Sequence, residues 1–175
     1  MRYHKITYPD VNNGRGCRAT LWVSGCSHRC PNCHNPQTWD FKSGRPFTEE
    51  TKEQLFQILS LPYIDGLTLS GGDPADSADE LIPLLKEFHN VFPDKDVWLY
   101  TGYTMEEMQE IPKLKRLLNA GCNTVVDGRY DHSKRNIALP FRGSGNQKIW
   151  TVRMDGSYRI VDDNEFDNPL NIHHY

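Results

Sequence analysis

Four short runs of β-branched and aromatic residues alternate along this chain with three stretches of helical periodicity, and that order leaves few folds open. The runs cover residues 19–24 (ATLWVS), 65–70 (DGLTLS), 96–101 (DVWLYT) and 123–128 (NTVVDG), each bounded by turn residues as strands are. Between the first two, Thr48 is placed to cap a helix with Glu49 and Glu50 in its first turn and Leu55, Ile58 and Leu59 on one face. Between the second and third, Ser77 and Glu80 fit a capping box ahead of Leu81, Leu84, Leu85 and Phe88. Pro83 inside that pattern predicts a kink or a later helix start. Thr104 and Glu107 repeat the box before the fourth run, and Pro112 divides the helical region that Gly121 ends. Such alternation predicts an α/β fold, a mostly parallel sheet with helical crossovers. Residues 149–161 read as a C-terminal β-hairpin turning at Asp155-Gly156 in type I′ geometry. At 175 residues the expectation is one domain over residues 1–161, then an irregular polar tail over 162–175.

Composition excludes several function classes. A formal net charge of −3 gives no long-range attraction to nucleic acid or to an anionic membrane. No apolar run reaches the ~18 residues of a membrane span, and the N-terminal MRYHKITYPDV has no signal-peptide core. The expectation is a cytoplasmic protein. Five cysteines are an odd number, and three of them are clustered, which suits metal or redox chemistry in a reducing compartment better than a disulfide framework.

The cluster is GCSHRCPNCHNPQTW, in which Cys26, Cys30 and Cys33 follow the first predicted strand with gaps of three and two residues. Structural zinc would need a fourth ligand, for which His28, His34 or Cys17 are nearby. A second two-residue knuckle is missing, because Cys122 stands alone. The other reading is a [4Fe–4S] cluster, normally held by four thiolates. Three thiolates leave one iron open, as a catalytic metal site requires. The loops LSGGDP and TGYT also follow predicted strands, and parallel sheets bind ligands at the carboxyl ends of their strands. The three loops are therefore expected to converge. Taken alone, GGDP is ordinary turn chemistry.

The gap pattern of the three cysteines resembles the signature of the radical S-adenosylmethionine superfamily. VSGCSHRCPNCHNPQTWD, FTEET, LSGGDP, KDVWLYTGYT, VVDGRY and FRGSGNQ together resemble the activating proteins of anaerobic (class III) ribonucleoside-triphosphate reductases, in that family's order and spacing. The resemblance spans roughly residues 3–149. It implies a shortened partial (β/α) barrel and two cofactors, a [4Fe–4S] cluster and S-adenosyl-L-methionine. Its metal ligands would be Cys26, Cys30 and Cys33, and its S-adenosylmethionine contacts Asn32, Cys33, His34, Gly71, Gly72 and Asp73. The implied activity is one-electron cleavage of the sulfonium to a 5′-deoxyadenosyl radical, which takes a hydrogen from a glycine of the reductase. No general acid or base is implied. The implied partners are the reductase and a flavodoxin-like electron donor.

The chain departs from the superfamily at three places. Asp73 stands where most members have Glu, Asn32 where many have an aromatic residue, and Arg15 in NGRGCR where the family has proline. Other readings remain at this level: an activase of another glycyl-radical enzyme, a zinc-stabilised binding module, or a simple electron carrier. The first often carries a cysteine-rich insertion that this chain lacks, and the last would not leave an iron open.

Overall fold

The computed structural model describes residues 1–153 and 155–167. Its centre is four parallel strands, β2 (Arg18–Val23), β4 (Gly66–Gly71), β5 (Asp96–Tyr100) and β6 (Thr124–Asp127). They are extended on one side by the antiparallel β1 (Arg2–Asp10) and the two-residue β3 (Arg45–Pro46). On the other side lie the antiparallel β7 (Lys148–Val152) and β8 (Tyr158–Ile160). The full order is β3-β1-β2-β4-β5-β6-β7-β8, so the fold is α/β with a mixed sheet and a parallel centre. Leu67, Leu69, Val97, Leu99 and Val125 from the parallel strands are fully buried, as near-continuous apolar strands covered by helices should be.

The crossovers are α1 (Glu49–Leu59), α2 (Ala78–Val91) and the pair α3 (Met105–Glu110) and α4 (Pro112–Asn119). Thr48 caps α1 by accepting from the Thr51 N–H, and Thr104 with Glu107 closes a full capping box on α3. Pro112 occupies the first turn of α4, where a missing N–H costs nothing. Two expectations are corrected at α2. Ser77 is its N-cap residue but makes no side-chain cap bond, because it already ends a 3-10 turn over Pro74–Ser77. Glu80 turns outward to the N-terminal ammonium of Met1, 3.3 Å away. The helix also starts at Ala78, ahead of Pro83, and not later; Pro83 lies on the exposed face, so its lost hydrogen bond faces water.

The hairpin of β7 and β8 is present, but its turn is not type I′. Arg153 N–H donates to the Ser157 carbonyl at 2.8 Å, leaving three residues in the turn, with Gly156 at φ +83°. Gly156 N–H donates back to the Arg153 carbonyl at 2.9 Å, so Asp155 and Gly156 are not the two central residues of a two-residue type I′ turn. The start of the polar tail is ordered too: α5 (Asn164–Asp167) folds back, with Phe166 packed on Phe141 and beneath the Arg15 guanidinium. The remainder of the tail, residues 168–175, lies outside the described residues. No helix among the described residues is long and apolar enough to cross a membrane.

Candidate functional site

The carboxyl ends of β2, β4, β5 and β6 point the same way, so the segments that follow them share one edge of the sheet. The cysteine loop follows β2, Gly72-Asp73 follows β4, Thr101–Tyr103 follows β5 and Gly128–Tyr130 follows β6. The three loops expected to converge do so. Gly72 N–H donates to the Val23 carbonyl at 2.9 Å and Asp73 N–H to the Gly25 carbonyl at 2.7 Å. Any Cβ on Gly72 would overlap the Gly25 backbone, so only glycine lets the two loops lie in contact. On its far side the cysteine loop is tied by Gly25 N–H to the Thr38 carbonyl and Cys26 N–H to the Trp39 carbonyl.

Asp73 fastens these loops together. It is 1% exposed, and its Oδ1 accepts from Ala75 N–H at 2.9 Å and from the Thr101 hydroxyl at 2.9 Å. Its Oδ2 accepts from Gly102 N–H at 2.8 Å and stands 3.0 Å from His28 Nε2. Asp76 makes a second tie, accepting from Ser27 N–H at 2.7 Å and from the Tyr103 hydroxyl at 3.1 Å. Buried carboxylates survive only when satisfied in this way.

Cys26, Cys30 and Cys33 are free thiols of intermediate exposure. Cys33 N–H donates to the Cys30 carbonyl at 3.1 Å, and Cys33 Sγ accepts from Asn35 N–H at 3.3 Å. Arg29 and Asn32 adopt positive φ, 49° and 57°, winding the loop tightly. Asn is one of the few side chains that visits this region readily, which gives a physical reason for Asn32 in place of an aromatic residue. His34 instead brings a ring near the site, 5.3 Å from that of Tyr130.

Burial pushes the Cys26 thiol above the ordinary cysteine range, and the Asp73 and Asp76 carboxylates add to the shift against the backbone N–H groups of Arg29 and His28. Burial also raises Cys30, helped by neighbouring Cys33. Binding a metal would therefore have to displace a proton from each of these two thiols.

No fourth thiol can join them. Cys17 precedes β2 and Cys122 precedes β6, at the opposite end of the sheet, roughly 16 Å away for a strand of this length. Cys122 is buried in the core. Among the described residues, no group of three or more His, Cys, Asp and Glu side chains, Cys26, Cys30 and Cys33 included, is arranged to hold a single metal ion. Three soft sulfurs on one loop are the donor type that an iron–sulfur cluster takes, and the other two cysteines lie too far away to add a fourth thiolate.

The segment after β6 obeys the same carboxyl-end rule as the other three, yet sequence reasoning placed no site residue in it. Arg129 Nε donates to His28 Nδ1 at 3.0 Å, and Arg129 also pairs with Glu107 at 3.2 Å. Tyr130 hydroxyl lies 3.0 Å from His132 Nδ1. The FRGSGNQ loop buttresses this segment: Gln147 donates to the Gly128 carbonyl at 3.0 Å and Asn146 to the Arg129 carbonyl at 2.8 Å. Between the cysteine loop and this segment opens a cleft of about 490 Å³, lined among others by Cys30, Pro31, Arg129, Tyr130 and Asn146, within the size range of small-molecule sites.

Residues 12–150 match the family model described as a 4Fe-4S single cluster domain. The chain is 38% identical over 161 residues to the "Anaerobic ribonucleoside-triphosphate reductase-activating protein" of Enterobacteria phage T4, covering 91% of this chain and 99% of that protein. It is 36% identical over 157 residues to the protein of the same name from Escherichia coli (strain K12), covering 87% and 100%. For the Vibrio cholerae protein of that name the identity is 39% over 153 residues, covering 85% and 97%. Identity sustained at this level across nearly the whole of each relative places the chain in one family: it belongs to the anaerobic ribonucleoside-triphosphate reductase-activating proteins.

Proposed function

We propose that this chain cleaves S-adenosyl-L-methionine reductively at a [4Fe–4S] cluster held by Cys26, Cys30 and Cys33, and so places a radical on a glycine of an anaerobic ribonucleoside-triphosphate reductase. The observation that carries the reading is the three-thiol loop seated at the carboxyl edge with no fourth thiol within reach. The bound cluster would deliver one electron to the sulfonium, breaking its bond to the 5′ carbon, and the 5′-deoxyadenosyl radical would then take a hydrogen from the glycine Cα.

The chain's own residues would bind and orient. Gly71 and Gly72 expose bare backbone beside the cysteine loop for the methionine end, and Asn32, Cys33 and His34 lie on the stretch facing the cofactor. Asp73, with both oxygens engaged inside the protein, would act by holding these loops in place. Positioning of this kind, together with exclusion of water, supplies the catalysis where no proton transfer is needed. A flavodoxin-like protein would supply the electron, and the setting would be the cytoplasm, with no nucleic acid involved. The parallel centre with its helical crossovers supports reading the fold as a shortened partial (β/α) barrel.

Anaerobic loading with iron and sulfide, followed by S-adenosylmethionine and dithionite, tests the reading. Brown protein releasing 5′-deoxyadenosine and methionine is expected, together with a glycyl doublet in the electron paramagnetic resonance (EPR) spectrum once the reductase is added. Cys30→Ala should lose both cluster and cleavage. Colourless zinc protein, or a loaded cluster that leaves the cofactor intact, would refute it.

A further inference from the structure

We propose that His28, in the gap between Cys26 and Cys30, is a positioning residue that sets the geometry of the cysteine loop and is not a metal ligand. The inference rests on the reading of those cysteines as cluster ligands. Its evidence is the surroundings of one imidazole. The His28 side chain is 4% exposed, although Ser27 and Arg29 on either side of it are exposed. Nδ1 accepts a hydrogen bond from Arg129 Nε at 3.0 Å. A guanidinium can only donate, so Nδ1 offers its lone pair to Arg129 and the ring proton sits on Nε2.

Nε2 is buried and makes no well-aligned hydrogen bond, yet it stands 3.0 Å from Asp73 Oδ2. The contact is a close N–H to carboxylate approach without ideal direction. The ring meets Tyr103 edge-on, with centroids 4.5 Å apart. Beneath it lies Gly102, where any Cβ would overlap the imidazole.

Four loops therefore meet at this ring. The one after β2 supplies His28, the one after β4 Asp73, the one after β5 Gly102 and Tyr103, and the one after β6 Arg129. Glu107 and Asn146 in turn hold Arg129. A metal at His28 would need a nitrogen lone pair. Nδ1 has given its own to Arg129, and Nε2 is protonated against a carboxylate. A residue between two ligands that is itself gripped from three sides fixes where those ligands point, and groups that orient metal ligands typically change affinity or activity by about 10–100-fold when removed.

Three variants separate the contacts. His28→Asn keeps an acceptor near the Nδ1 position for Arg129, His28→Gln reaches toward Asp73 with an amide N–H, and His28→Ala keeps neither. The first readout needs no cofactor: hydrogen exchange of amides 26–33 in the iron-free chain. His28→Ala should exchange about 10-fold faster there, with β4 and β5 as protected as in the parent, and His28→Asn should recover part of the protection. The second readout is iron and sulfide content, with the EPR spectrum of the reduced cluster before and after adding S-adenosylmethionine.

All three variants should bind iron. In His28→Ala the change in the spectrum on adding S-adenosylmethionine should weaken, and cleavage should fall about 10–100-fold, with His28→Asn within a few-fold of the parent. Should His28→Ala fail to fold, the Asn and Gln variants carry the same comparison. Loss of iron in all three with amides 26–33 and the core as protected as in the parent would make His28 a ligand and overturn the proposal, as would variants identical to the parent in exchange and spectrum. If the parent itself cleaves nothing, the functional reading fails, while the exchange measurement still judges His28.

Discussion

Asp73 accepts from Ala75 N–H, the Thr101 hydroxyl and Gly102 N–H, and an amide in its place has only one oxygen to offer. Asp73→Asn would turn its NH₂ toward one of these donors. The expected loss is about 2–3 kcal/mol, from unmade hydrogen bonds to a charged acceptor, read by urea denaturation. Asp10 behaves differently because its stabilisation depends on pH. Burial alone would raise its pKa, but hydrogen bonds from Asn12, Thr20, Asn13 and Thr7 outweigh that and lower it. A lowered folded-state pKa means stability that is fully present above the ordinary carboxylate range and lost as pH falls through the lowered value. Asp10→Asn should therefore be less stable than the parent at pH 7, with the gap closing in acid; a gap constant down to pH 2 would contradict the assignment. At this scale the cysteine loop drew notice in the sequence because three thiols at fixed gaps have few uses. Arg129 did not, since nothing in DGRY marks an arginine whose partner, His28, lies 101 positions away. Asp73 was singled out in the sequence only as a cofactor contact and not as a clasp, because Thr101, Gly102 and His28 come to it from other loops.

The strands and crossovers that carry the site were the easiest elements to read, since apolar strands covered on both faces stand out from their surroundings. Strand β1 escaped notice. Its nine residues, RYHKITYPD, bury only Tyr3 and Asp10, so no alternation marks it, and it exists because β2 offers an edge to pair with. Strand β3 is two exposed residues including Pro46, and it suits an edge where a missing donor faces solvent. Within the elements, the tightest constraint is the contact between the loops after β2 and β4. Gly72→Ala would drive a methyl into the Gly25 backbone, and backbone yields less readily than a side chain. A loss of about 1–3 kcal/mol is expected, as for overpacking in a core, with iron content falling because the cysteine loop is displaced. Gly145→Ala is the control: its nearest neighbour would be the Lys134 carbonyl at an ordinary 3.8 Å, and a change within about 0.5 kcal/mol is expected. Equal effects of the two substitutions would show that loop contact is not what Gly72 provides.

Across the whole molecule, the two ends of the parallel strands have separate duties. The carboxyl edge holds the cysteines and the loops that face them. The amino edge holds Arg18, the largest fully buried side chain among the described residues at 1% exposure. Its guanidinium pairs with Asp96 at 2.6 Å and donates to the Thr68 hydroxyl at 2.9 Å and the Leu67 carbonyl at 2.7 Å, over the face of Trp98. NGRGCR serves this end. Gly14 lies against Arg18 and Trp98 where no Cβ would fit, and the Arg15 carbonyl accepts from Arg18. Arg15 reaches the other way, to the carbonyl of Glu165 and the ring of Phe166, docking the start of the tail. Removing one partner of a buried ion pair leaves an uncompensated charge and typically costs 3–5 kcal/mol. Asp96 is itself about a quarter exposed, so Asp96→Ala should cost about 3 kcal/mol, the low end of that range. The two ends are separated by the length of the strands, and the cysteine loop is hydrogen-bonded to Thr38, Trp39 and the carboxyl-edge loops. Asp96→Ala should therefore lower the urea midpoint while each folded chain still takes up the parent's complement of iron and sulfide. A variant that stays folded but binds less iron would show instead that the amino edge shapes the metal loop through the sheet.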